Sequence, residues 1–259
     1  MNFCFFLSIQ QLTEKSESGK HGGCFDENSI VYDRKGAKPI KDLQIGDEIL
    51  SVGSDGKLQY SEVIMFLDRD QTGERLYYRF ETESGSTITT TPSHLLYVNY
   101  KVTNVANLNQ GVTLGRPEFA KDIQVGQYLY IRRENNQIVL ERVVKKISGL
   151  GRGAFAPLTA AGNLIVNNVT ASCYAVIGSQ TLAHWSFMPI RWAHLVAHFG
   201  DSLSGYLLAK SGTSRVRRES WNFENFLNLS DNQESGIHWY PRLLYSIFKH
   251  MIPSQWMYN

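Results

Sequence analysis

Only three cysteines occur in the chain, Cys4, Cys24 and Cys173. That is too few for a disulfide framework, and no CxxC or comparable spacing offers a zinc site, so the cysteines are expected to act singly and without a metal. Long hydrophobic runs are missing too. None approaches the roughly 18 apolar residues of a spanning helix, so no helical membrane crossing is expected. Charge of one sign is equally scarce: 26 Lys and Arg stand against 24 Asp and Glu, a net +2. Such a balance gives no electrostatic reason for a nucleic-acid partner, and Arg215, Arg217 and Arg218, diluted by Ser and Glu219, read as a solvated loop. Met1 to Ile9 is apolar but lacks a basic n-region and a small-residue cleavage site. It makes a poor signal peptide, and any secretory signal is expected upstream of it.

What remains is an ordinary globular composition, 42% hydrophobic and 19% charged over 259 residues, enough for one large core. Residues 12–23 (LTEKSESGKHGG) are polar and Gly-rich and read as a tether ending at Cys24. Beyond it, short β-rich runs alternate with turn signals: Ser29–Tyr32, Glu48–Val52, Tyr77–Thr82, Thr87–Tyr97, Tyr128–Arg132, Leu164–Val169 and Tyr174–Ile177. An internal repeat organises them. Lys-Asp-Leu-Gln-Ile-Gly at 41–46 returns as Lys-Asp-Ile-Gln-Val-Gly at 121–126, an offset of 80 kept by Val63-Ile64 and Val143-Val144. Gly85–Ile88 and Gly162–Ile165 then align at an offset of 77, as a three-residue loop deletion would give. The expected organisation is a tether (1–23), a pseudo-two-fold all-β domain (24–181), and a small amphipathic, partly helical appendage (182–259).

In the appendage, residues 184–199 and 237–258 are aromatic-rich and flank a polar stretch. Trp239, Leu243, Ile247 and Met251 fall on one helical face, widened by Leu244 and Phe248. That stripe either packs on the β domain or also meets a lipid or membrane surface; the residues leave both open.

Cys24 follows Gly23, where a thiol can approach the preceding carbonyl without a bulky side chain in the way. A lone cysteine is usually a buried small hydrophobe, and a histidine after a strand, like His94 in Thr91-Pro92-Ser93-His94, is usually structural. The second copy's counterpart of this element, Asn168–Ala171, lies close to Cys173, so the repeat aims polar groups from both halves toward one centre.

Gly23-Cys24-Phe25, Ile45-Gly46-Asp47, Tyr60–Arg69, Thr91-Pro92-Ser93-His94-Leu95 and Ala171–Ile177 together resemble the autoprocessing (Hint) domain of Hedgehog proteins. Ala183-His184-Trp185 and Gly236–Tyr240 resemble the same family's sterol-recognition region. The resemblance implies a horseshoe-like all-β fold shared with inteins, and cleavage of the Gly23–Cys24 bond through a thioester. It implies roles as well: Cys24 as nucleophile, His94 as proton donor to the leaving nitrogen, and Thr91 as a hydrogen-bonding partner of the scissile amide. Asp68 would be the general base for a sterol hydroxyl, its plain alternative being a surface salt bridge with Arg69 or Arg75. Cys173 would assist thiol exchange, pair with Cys24, or serve only as a core thiol. The implied substrate is cholesterol or a related sterol, with no cofactor, and the implied compartment is the endoplasmic reticulum lumen of the secretory pathway. There Asn228-Leu229-Ser230 would be a usable glycosylation sequon, while Asn168-Val169-Thr170 is expected within a core strand.

Three other readings compete. Intein splicing needs a terminal Asn before a nucleophile, and no His-Asn followed by Cys, Ser or Thr occurs. A papain-like protease sets its cysteine at a helix N-terminus, whereas Phe25–Tyr32 reads as β. A non-catalytic secreted module of the same fold is separated from the others only by a cleavage assay.

Overall fold

Alternating apolar positions between turn residues condense into strands, two of which run far longer than the sequence suggests. A computed structural model describes residues 23–100 and 111–175, together with 187, 188, 191, 236, 237, 243 and 244. Among the described residues the strands are β1 (Ile30–Asp33), β2 (Gly36–Pro39), β3 (Glu48–Val52), β4 (Leu58–Thr82), β5 (Thr87–Thr90) and β6 (His94–Asn99). They continue with β7 (Arg116–Phe119), β8 (Tyr128–Arg132), β9 (Ile138–Thr159), β10 (Asn163–Val166), β11 (Val169–Ala175) and β12 (Gly236–Ile237). One 3-10 turn, Ile40–Asp42, stands between β2 and β3. The sheet runs in the order β10-β11-β6-β8-β9-β4-β3-β1-β2, and every pairing is antiparallel.

The spine is the ladder between β4 and β9, which runs from Val63 opposite Thr159 to Thr82 opposite Val143. Only its Tyr77–Thr82 end was expected from the sequence. The remainder is hidden by polar Asp68–Asp70 in β4 and by Gly149 and Gly151 in β9, which look like loops yet pair across the arm. Apolar side chains fill the inside: Phe25, Ile64, Phe80, Leu95 and Phe155 belong to one buried cluster. Each contributes on the order of 1.5 to 3 kcal/mol by leaving water.

The internal repeat is physical. The amide of Gly46 donates to the Val63 carbonyl at 2.9 Å, and that of Gly126 donates to the Val143 carbonyl at 2.9 Å. Both glycines take positive φ, 91° and 100°. At the other end, Thr82 Oγ1 donates to the Ser86 carbonyl and Thr159 Oγ1 to the Asn163 carbonyl, the same bond at the offset of 77.

Two expectations change. The run Thr87–Tyr97 is broken after Thr90, because Thr91-Pro92-Ser93 turns the chain before β6. Asn168 lies outside the strands: with Asn167 it makes the tight turn between β10 and β11 at φ 49° and 67°, and its Oδ1 accepts from Arg132 Nε at 3.0 Å. Of the aromatic residues assigned to the appendage face, Phe187 is described. It is buried and stacks on Tyr174 with ring centroids 5.6 Å apart. Leu244, expected at the margin of the stripe, packs on the main core, while Leu243, expected at its centre, is 49% exposed. Trp185, Trp192, Phe199, Trp239, Ile247, Phe248, Met251, Trp256 and the Asn228 sequon lie outside the described residues.

Gly46 and Gly126 test the duplication. A Cβ at either meets nothing within 4 Å, so alanine there carries only the backbone cost of positive φ, about 1–2 kcal/mol. Gly46→Ala and Gly126→Ala should lower the denaturation midpoint by equal amounts; a cost at one site alone would show that the two turns are not equivalent.

Candidate active site

Cys24 is threaded between the end of β5 and β9. Phe25 bridges Thr90 on one side and Phe155 on the other. The Phe25 amide donates to the Phe155 carbonyl at 2.9 Å, the Phe155 amide returns a bond of 3.0 Å, and the Thr91 amide donates to the Cys24 carbonyl at 2.9 Å. The remaining bond holds the peptide linkage of interest: the Cys24 N–H donates to Thr91 Oγ1 at 2.9 Å. Gly23 is equally constrained. A Cβ there would overlap that of Ala175 and stand 3.0 Å from His94 Nδ1.

On the sulfur side, Cys24 Sγ donates to Asp68 Oδ2 at 3.5 Å. Arg75 Nη1 donates to the same Oδ2 at 2.8 Å and lies 3.6 Å from Sγ. Asp68 and Arg75 are seven residues apart on β4, and a regular strand would send them to opposite faces. The irregularity between Asp70 and Glu74 breaks that alternation. Asp70 shapes it, its Oδ1 accepting from the amides of Thr72 at 3.1 Å and Gly73 at 3.0 Å. The salt bridge weighed for Asp68 therefore exists, but with Arg75 and under cover, at side-chain exposures of 2% and 15%. Arg69 turns away, over the Phe66 ring at 4.6 Å.

Burial sets the resting protonation. It pushes the Cys24 thiol well above its ordinary pKa; Asp68 adds to the rise and Arg75 opposes it, so the resting nucleophile is a thiol. Burial also disfavours the Arg75 cation, but Cys24 and Asp68 more than restore it. His94 is fully buried in edge-on contact with Phe25, at 4.3 Å between ring centroids. Its ring nitrogens make no well-formed hydrogen bond among the described residues, and only the backbone of Gly23 and Ser172 comes near enough to interact with them. Burial lowers its pKa to about 4, against a weaker pull from the backbone of Gly23 and Ser172, so the imidazole is neutral at pH 7 and carries one N–H.

Cys173 stands apart. It packs in the main core, whereas Cys24 belongs to a small cluster with Ala154 and Ala156. Its sulfur meets the Thr159 amide and hydroxyl, each at 3.5 Å, and burial raises its pKa to about 11. Both thiols are free.

Three features escaped the sequence reading. Tyr77 donates to the Gly153 carbonyl and lies 3.5 Å from that of Phe25, tying β4 to the Cys24 segment. Arg75 was seen only as a possible surface partner, although the Asp70-x-Thr-Gly turn and the odd spacing signal a bulge that brings it to Asp68. The third is β12: Ile237 pairs with Asp68 itself and Gly236 with Arg69.

The neutral His94 makes stability depend on pH. The unfolded histidine binds its proton near pH 6.5 and the folded one only near 4. This contribution is complete above pH 6.5 and is lost as pH falls through 4, by on the order of 3 kcal/mol. In His94→Gln the term is gone, so the stability difference between wild type and variant should shrink by that amount between pH 7 and pH 4. A constant difference would show that His94 is not buried neutral.

A family model described as the Hint module matches residues 12–253. The Sonic hedgehog protein of Danio rerio is 34% identical over 247 residues, covering 95% of this chain and 53% of that protein. The hedgehog protein of Drosophila melanogaster is 34% identical over 253 residues, covering 95% and 48%. The chain thus spans about half the length of these relatives. Among solved structures, a DnaB intein from Synechocystis is similar at 17% identity, covering 58% of this chain and 97% of that one, with a TM-score of 0.46.

Proposed function

The chain belongs to the Hint module family, and from that premise we propose that it cleaves its own Gly23–Cys24 peptide bond through a thioester and passes the acyl group to a sterol hydroxyl. The observation that carries the reading is the Cys24 N–H bonded to Thr91 Oγ1 while the same residue's sulfur faces Asp68 and Arg75. The nucleophile and the bond it must break are held together by one residue's geometry.

An amide resists attack because resonance keeps it planar and its amine leaves poorly. The Cys24 thiol gives up its proton to Asp68, the sulfur closes on the Gly23 carbonyl carbon, and the carbon–nitrogen bond breaks to leave a free α-amine on Cys24. Thr91 holds the departing nitrogen, and His94 beside Gly23, neutral at rest, is placed to relay that proton, taking it on one ring nitrogen while giving the N–H of the other to the amine. Loss of the amide yields a thioester, a better acyl donor. A sterol hydroxyl then attacks, handing its proton to Asp68, and the carbon–sulfur bond breaks to release the ester and a Cys24 thiolate that takes the proton back from Asp68. In support, Asp68 Oδ1 is buried with no partner among the described residues, an open acceptor for an incoming hydroxyl. The pairing of Gly236 and Ile237, from the segment that resembles a sterol-recognition region, with Arg69 and Asp68 supports this reading. Cys173, bonded to Thr159, is read as a core thiol. Cholesterol and the chain's own upstream segment are the proposed partners, and the secretory pathway the proposed compartment.

Incubation at pH 8 with cholesterol or with dithiothreitol, read by intact mass, separates the steps. Cys24→Ala should abolish both reactions. Asp68→Ala should retain dithiothreitol cleavage at a reduced rate, because the space the carboxylate vacates lets solvent base take the thiol proton, and lose the sterol adduct altogether. Ile237→Pro, which removes a donor from β12, should slow sterol transfer about tenfold or more and leave thiol cleavage within about twofold. Equal loss of both reactions in Asp68→Ala would remove the separate role of Asp68. A sterol adduct at the wild-type rate in Ile237→Pro would detach β12 from sterol delivery.

A further inference from the structure

One guanidinium nitrogen reaches both groups that must change charge. Arg75 Nη1 is 2.8 Å from Asp68 Oδ2 and 3.6 Å from Cys24 Sγ, and those two atoms are themselves 3.5 Å apart. Arg75 Nη2 is held at 3.7 Å from Asp70 Oδ2, on the carboxylate whose other oxygen makes the bulge. We propose that Arg75 is a catalytic residue serving both steps, as the counter-ion of the Cys24 thiolate in thioester formation and of the Asp68 carboxylate when the sterol hydroxyl attacks. The inference rests on the processing reading above and adds a residue which that reading does not use.

The physical need is clear. Moving the thiol proton to Asp68 Oδ2 converts a thiol and a carboxylate into a thiolate and a carboxylic acid. In a buried site an unpaired thiolate would be costly. With Arg75 bridging both atoms, net charge is unchanged and the negative charge moves only between two neighbours of one cation. After the sulfur bonds to the Gly23 carbon and the amine departs carrying the proton, Asp68 is again a carboxylate facing Arg75, ready for the second step. Beyond this pair, the titratable groups around the thiol are Asp70 and Tyr77 on β4 and, across the scissile bond, His94; Asp26 lies by Tyr77. On the β9 side Cys24 meets Ala154 and Ala156, neither of which can replace the cation.

The test follows cleavage of the full chain at saturating hydroxylamine, so that thioester formation limits the rate, across pH 5.5 to 9. Arg75→Gln keeps a hydrogen-bonding side chain and removes the charge. Its rate at pH 7 should fall about tenfold or more, with the pH midpoint displaced upward by about one unit, and Arg75→Lys should restore the midpoint. A wild-type midpoint in Arg75→Gln, or an Arg75→Lys displaced as far as the glutamine variant, would overturn the proposal, since a purely structural arginine would lower the rate without moving the midpoint. Should Arg75→Gln fail to fold because it strands Asp68, Asp68→Asn and the double variant Asp68→Asn/Arg75→Gln leave no stranded carboxylate. The 13C shift of Cys24 Cβ should then titrate at lower pH in the single variant than in the double, and identical titrations overturn the proposal. Wild-type protein that releases no fragment at any pH removes the processing reading and this inference together.

Discussion

The β4–β9 ladder is the constraint on which the site depends. Both strands exceed twenty residues, and their antiparallel pairing sets Asp68 opposite Ala156, Asp70 opposite Ala154, Arg75 opposite Gly151 and Tyr77 opposite Gly149. The Cys24 segment adds to this arm at Phe155 and to the end of β5 at Thr90, so an otherwise free tether end becomes a held strand. Small residues on β9 leave room for the sulfur. The bulge between Asp70 and Glu74 in β4 brings together Asp68 and Arg75, which a regular strand would have divided between its two faces.

A low-dielectric environment then divides the labour among these groups. Cys24, Asp68 and His94 are 0–1% exposed, so each charge in the site is decided by its neighbours and not by bulk water. The thiol rests protonated, the imidazole rests neutral, and Arg75 is the cation within reach of the sulfur. The same exclusion of water would protect a thioester from hydrolysis until a hydroxyl with an apolar body arrives. Sterol capture is therefore compatible with a dry site, since most of such a substrate needs apolar contact.

Much of this was legible before any coordinates. The repeated Lys-Asp-x-Gln-x-Gly hexamer maps onto equivalent turns at Gly46 and Gly126, because a backbone at positive φ demands glycine in both copies. Gly23-Cys24 and Thr91-Pro92-Ser93-His94 converge as the motifs implied. The long arm was not legible, since glycines and charged residues mask pairing in which backbone bonds, and not side-chain alternation, carry the stability. Nor was Arg75: the reading of a surface salt bridge assumed that polar residues near Asp68 were solvated, whereas the Asp70 turn folds them under cover. Cys173, whose motif left a place near the centre and a place in the core both open, packs in the main core with its sulfur 3.5 Å from the Thr159 hydroxyl.

Whether Gly23–Cys24 is the linkage the fold activates is decided by treating the intact chain with neutral hydroxylamine and weighing the products. Activation at this bond gives a fragment of residues 1–23 ending in a glycine hydroxamate and a complementary fragment with a free Cys24 amine. An unchanged mass, or a break at any other bond, would contradict it.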